Sequence, residues 1–181
     1  PNIKWSGSSP DQFEPNEGSS SATSIQQPST GNGTQLFQNL SIHQKGNGAL
    51  VPGDNDWFHI SISQYSTIEI EILFSTSVGD IEASLYDSNL VRIDQSWSTT
   101  DNESVSTTMR PGTIFLQIFG FQQDVSNTSY DLEINYETIT QIPQINDWSL
   151  AEIKINDFGN GVHQLYDEYL HGLAFGPNET L

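Results

Sequence analysis

The chain has 181 residues, with 23 Asp and Glu against five Lys and Arg, a formal net charge of -18. Such a balance argues against nucleic acid, whose phosphates need clustered basic residues, and against anionic membrane surfaces, while it favours divalent cations. There is no cysteine, so no disulfide supports the fold, and no apolar run is long enough for a transmembrane helix.

Residues 1–10 read as linker, and the stretch to about residue 35, rich in Pro, Ser, Gly, Asn and Gln, as linker plus a first acidic loop, Asp11-Gln12-Phe13-Glu14-Pro15-Asn16-Glu17. A second acidic stretch, Gly53-Asp54-Asn55-Asp56, opens directly into a strand pattern. From Trp57 the period is two: Phe58, Ile60 and Ile62 alternate with His59 and Ser61, then Ile68, Ile70 and Ile72 with Glu69 and Glu71. The glutamates should face water. Residues 114–119 are apolar on both faces except Gln117, as in a central strand, and Tyr130, Leu132, Ile134 and Tyr136 return to alternation. Turn signals at Gly46-Asn47-Gly48, Asp87-Ser88-Asn89, Asp101-Asn102 and Arg110-Pro111-Gly112 separate these runs.

This pattern predicts an all-β fold, an antiparallel β-sandwich with jelly-roll-like or Greek-key connections over residues 11–138. Residues 139–181 read as a strand-helix appendage. A strand is predicted at 150–155, and at 161–173 a helix whose apolar stripe (Val162, Leu165, Tyr166, Tyr169, Leu170, Leu173) needs a surface to pack on. The chain starts at Pro1 and has its only methionine at Met109, which suggests a module of a longer, exported polypeptide.

The two acidic stretches hold hard oxygen donors with no Lys or Arg among them. Calcium takes roughly 6–8 oxygens at about 2.3–2.6 Å, and two irregular loops meeting at a strand start can fill such a shell. Solvated turns capped by Asp and Asn are the alternative in so acidic a chain.

The same residues carry a family resemblance. Asp11-x-x-Glu14-Pro15-Asn16-Glu17, then Asp54-x-Asp56-Trp57-Phe58, Gly79-Asp80-x-x-x-x-Leu85-Tyr86-Asp87, Pro111-Gly112-x-x-Phe115-Leu116-x-Ile118-x-Gly120 and Tyr130-x-Leu132-x-Ile134 follow one another in the order of the bacterial pre-peptidase C-terminal domain. The family includes the collagen-binding domains of bacterial collagenases, and the resemblance covers about residues 11–137. It implies a calcium-binding sandwich with Glu14, Asn16, Glu17, Asp54 and Asp56 as ligands and Asp11 and Gln12 in reserve. Glu17 departs from the Asp usual there, which lengthens that side chain by one methylene. Asp80 and Asp87 read as strand-end and turn residues.

Catalysis finds no constellation. His43, His59, His163 and His171 form no His-Glu-x-x-His helix, no Gly-x-Ser-x-Gly elbow is present, and the Gly-Asn-Gly runs are turn formers. Aromatic side chains are the other functional signal: Trp97, Tyr86 and Phe121, with Phe119, are candidates for ligand contact, and Trp97 sits in a polar run that should expose it. Five Asn-x-Ser/Thr sequons, at Asn32, Asn39, Asn102, Asn127 and Asn178, reflect a polar composition.

The expected function is that of a non-catalytic, calcium-binding module of a secreted or surface-attached bacterial protein. It would bind an extracellular protein or polysaccharide for a parent enzyme or adhesin, with neighbouring modules as its other partners. The alternatives are a calcium-rigidified spacer and, third, a hydrolase domain.

Overall fold

The computed structural model describes residues 9–44, 53–123 and 125–140. The chain divides into Pro1–Ile142 and Pro143–Leu181, and the fold below is that of the first unit. The strand expected at 150–155, the helix at 161–173 and the Gly46-Asn47-Gly48 turn lie outside the described residues.

Nine strands follow in order: β1 (Thr23–Gln26), β2 (Gly33–Ile42), β3 (Asn55–Ile62), β4 (Ser66–Leu73), β5 (Ile81–Asp87), β6 (Arg92–Ser96), β7 (Glu103–Met109), β8 (Gly112–Gly120) and β9 (Asn127–Thr138). They form a five-stranded sheet, β1-β3-β8-β5-β6, and a four-stranded sheet, β2-β9-β4-β7. Every connection except the β5–β6 hairpin joins a strand of one sheet to a strand of the other. The sandwich therefore closes by repeated crossing, and its two ends are built from loops far apart in sequence.

Period-two patterning explains the core. Phe58 and Ile60 of β3, Ile81, Ala83 and Leu85 of β5, and Ile114, Leu116 and Ile118 of β8 face Leu40 and Ile42 of β2, Ile68, Ile70 and Ile72 of β4, and Tyr130, Leu132 and Ile134 of β9. All are buried, whereas Glu69 and Glu71 on the other face of β4 are exposed. The run at 114–119 is central as its composition implies, since β8 lies between β3 and β5.

The expected all-β sandwich is what forms, with one parallel pair in it: β1 runs alongside β3, pairing Thr23 with Phe58 and Ile25 with Ile60. One expectation is corrected, since residues up to about 35 are not all linker and loop: β1 and the start of β2 fall within them. The Gln27 side chain anchors this polar segment: its Oε1 accepts from the backbone of Ser63 at 2.9 Å and of Gln64 at 3.0 Å, and its Nε2 donates to the Gly31 carbonyl at 2.8 Å. Those side-chain bonds replace the apolar burial that the sequence there lacks. At Gly120 and Gly79 the backbone approaches so closely that a Cβ would meet the carbonyl oxygens of Val125 and Ser126 at 2.0 and 2.2 Å.

Candidate metal centre

One end of the sandwich concentrates the acidic side chains. Asp56 has the same parity on β3 as Phe58 and Ile60, so strand geometry turns its carboxylate inward, where it is 0% exposed. Tyr130 of β9, from the opposite sheet, donates its hydroxyl to Asp56 Oδ2 at 2.5 Å. The first acidic loop docks beside it through the Trp57 amide, which donates to the Asn16 carbonyl at 2.9 Å. Glu14 and Asn16 are thereby carried to the mouth of β3, beside Asp54, which precedes the strand, and Asp56, its second residue.

The Asn16 amide end, fully buried, lies 3.1 Å from Glu14 Oε2 and 3.2 Å from Asp56 Oδ1. With its nitrogen toward them, the amide donates to both carboxylates. With its oxygen toward them, three oxygens converge, an arrangement that a cation, or a proton on Asp56, would offset. Oxygens about 3 Å apart match the edges of a shell with metal bonds of about 2.3–2.6 Å, so the donor set fits calcium.

Electrostatics agree with the geometry. Burial pushes the Asp56 carboxyl up to about 9, against the Tyr130 hydrogen bond and with help from the Asp54 charge. Glu14 and Asp54 are likewise raised, each chiefly by burial, with Asp54 adding repulsion at Glu14. The Tyr130 hydroxyl is held well above its ordinary range by burial and by Asp56. Glu14 Oε1 and Asp54 Oδ1 are buried without a hydrogen-bond partner. Among the described residues no Lys or Arg pairs with these carboxylates; the contacting base is His43, whose Nδ1 lies 2.8 Å from Glu14 Oε1 and 2.6 Å from Asp54 Oδ2.

The structure therefore brings together four of the residues expected as ligands, Glu14, Asn16, Asp54 and Asp56. Glu17 is exposed on the rim of a depression that His43, Gln44, Gly53, Asp54 and Asn55 also line, close enough for its charge to raise the carboxyls of Glu14 and Asp54 further. Asp11 is engaged elsewhere, as both its oxygens accept backbone bonds, from Phe13 at 2.8 Å and from Ser41 at 2.9 Å. Gln12 is exposed. His43 and Tyr130 were not among the expected site residues. Tyr130 could have been found, since it continues the inward parity of Leu132 and Ile134 and so must place its hydroxyl at the end of the core.

The aromatic candidates separate. Trp97 is 51% exposed and Phe121 is also exposed. Tyr86 is half-buried, stacked on Trp57 at 5.4 Å with its hydroxyl donating to Gln117 at 2.9 Å. Trp97 packs edge-on against Phe119, with the Arg92 guanidinium 4.9 Å above its ring. The exposed apolar side chains Leu90, Val91 and Ile93 lie on the same hairpin or on β6.

No family model matches the chain, and no curated protein matches it. Among solved structures, it is similar to the pre-peptidase C-terminal domain of the collagenase from Bacillus anthracis. That likeness has 13% identity and a TM-score of 0.41, over 64% of this chain and 94% of that one. It is also similar to PliG, a periplasmic inhibitor of g-type lysozyme, from Aeromonas hydrophila, with 9% identity and a TM-score of 0.45 over 64% and 97% of the two chains. The PliG of Salmonella Typhimurium shows 12% identity and a TM-score of 0.40, over 64% and 99%. With every TM-score below 0.5, these likenesses carry no functional weight.

Proposed function

We propose that this chain is a calcium-binding, non-catalytic β-sandwich module of a secreted or surface-attached bacterial protein, which binds an extracellular protein or polysaccharide for its parent. The observation that carries the metal reading is the buried convergence of Glu14, Asn16 and Asp56, beside an Asp54 that is 4% exposed, without Lys or Arg among the described residues to neutralise them. One histidine, His43, contacts Glu14 and Asp54, and burying several carboxylates with so little counter-charge is costly, a cost that a divalent cation removes. These residues would hold the ion, and its charge would bind the first acidic loop to the end of β3. Glu17, on the rim, would act through its charge rather than by direct ligation.

The binding role rests on the hairpin that exposes Leu90, Val91, Ile93 and Trp97, since clustered exposed apolar side chains mark contact surfaces. Thermal melting with calcium and with chelator tests the metal reading. Calcium at about 100 times its dissociation constant should stabilise the fold by roughly 2.7 kcal/mol, seen as a raised midpoint. Coincident midpoints would end the calcium assignment.

A further inference from the structure

Glu14 presents its two oxygens to different neighbours. Oε2 faces the Asn16 amide, which reaches on to Asp56 Oδ1, so that half of the site consists of two carboxylates and an amide, with no imidazole. Oε1 faces His43 Nδ1 at 2.8 Å, and the same nitrogen lies 2.6 Å from Asp54 Oδ2. The ligating atoms of Glu14, His43 and Asp54 all fall within 4.8 Å of one another.

An imidazole nitrogen among carboxylates changes which ion is preferred. Calcium selects oxygen donors, whereas zinc and its neighbours accept histidine nitrogen together with carboxylate. His43 counteracts part of the burial effect on Asp54, first through its backbone amide, which donates to Oδ2 at 2.7 Å, and then through its ring, while Nδ1 is buried without a well-formed hydrogen bond. Glu14 Oε1 and Asp54 Oδ1 are unpartnered as well. A nitrogen and two carboxylates, each with a buried atom lacking a well-formed hydrogen bond and all within reach of one small ion, can serve as a coordination site.

We propose that Glu14 Oε1, His43 Nδ1 and Asp54 form a second metal site, selective for zinc or a similar divalent transition ion, adjoining the calcium site and sharing Glu14 with it. Tetrahedral metal bonds of about 2.0–2.2 Å place neighbouring donors about 3.3–3.6 Å apart, so an entering ion must spread the contacts of 2.6 and 2.8 Å by about 0.5–1 Å. The His43 side chain is 18% exposed and can make that adjustment. The depression beside it leaves a position for water. The neighbouring calcium rests on the reading above; the zinc site rests on His43 and stands without it.

The test uses the full chain, stripped of metal and then saturated with calcium, titrated with zinc by calorimetry and with cobalt(II) as a visible-absorption probe. One zinc per chain should bind without displacing calcium, and cobalt should show the spectrum of nitrogen-oxygen coordination. His43→Gln should weaken zinc by about tenfold or more while keeping the calcium-dependent melting shift. Should that variant fail to fold, the wild-type His43 ring resonances in NMR should move with one equivalent of zinc. Zinc that binds only by exchanging with calcium, a His43→Gln protein that binds zinc as tightly as wild type, or unmoved His43 resonances would overturn the proposal. Calcium binding without zinc binding sinks this inference alone. Zinc binding without calcium binding leaves it standing and removes the calcium reading.

Discussion

Asp56→Asn should stabilise the metal-free protein near neutral pH, although it alters a buried and hydrogen-bonded residue. Folding raises the Asp56 carboxyl from 3.8 to about 9, so the folded state holds this proton more tightly than the unfolded chain does. Its contribution to stability is then complete below about pH 4, declines as pH rises, and is lost above about pH 9. At about 1.4 kcal/mol per pH unit, the loss by pH 7 is about 4 kcal/mol, a large part of the ~5–15 kcal/mol that stabilises a typical domain. Asparagine cannot ionise, and its amide oxygen can still accept from Tyr130. In metal-free buffer, urea midpoints for the two proteins should coincide near pH 4 and diverge in favour of Asp56→Asn toward pH 8. Calcium should reverse the order at neutral pH, because only the wild type keeps the carboxylate for the ion. Parallel pH profiles, or a metal-free wild type more stable at pH 8 than at pH 5, would refute the reasoning.

Ile70→Ala, which empties a fully buried position facing Ile134 and Val105, should cost about 2–5 kcal/mol, while Glu69→Ala on the exposed face should change stability by no more than about 0.5 kcal/mol; equal losses in urea denaturation would show the register of β4 to be wrong. Glu82 lies on β5 with Oε2 unpartnered, and its carboxyl is raised to about 7 by burial and by Asp80 and Glu103, so Glu82→Gln should gain stability relative to wild type as pH rises from about 4.5 through 7, calcium or not. A wild-type profile unchanged by that substitution would place the titration elsewhere. Trp97→Ala should abolish retention on the module's ligand, screened among extended peptides and neutral polysaccharides, while its melting midpoint stays within a few degrees of wild type; a binder that tolerates the change would shift the contact surface away from the β5–β6 hairpin.

Strands whose side chains divide cleanly between core and solvent were legible in the sequence. Ile68-Glu69-Ile70-Glu71-Ile72 states its own register, and the doubly apolar run at 114–119 states that it is central. β1 and β2 were not legible for a physical reason. β1 offers a single buried apolar residue, Ile25, and is held by backbone pairing and by Gln27, which leave no hydrophobic period. The first part of β2 runs along a sheet edge with most side chains exposed, so its composition resembles a loop. β7 conceals itself differently: buried Glu103 stands where an apolar residue would mark the inward face, and it accepts from Ser98 Oγ at 2.6 Å and from the Ser98 amide at 3.0 Å. At the site, the carboxylates were legible because they are clustered in sequence beside a strand start. His43 was not, since only the pairing of β2 with β9 and the bond from its amide to Asp54 Oδ2, at 2.7 Å, bring it there.

The central claim is that Glu14, Asn16 and Asp56 surround calcium, and diffraction from crystals grown in calcium, with anomalous differences recorded, tests it most directly. An anomalous peak bonded to Glu14 Oε2, Asn16 Oδ1 and Asp56 Oδ1 at about 2.3–2.6 Å is expected. An Asn16 amide nitrogen turned toward both carboxylates, with no peak between them, would contradict it.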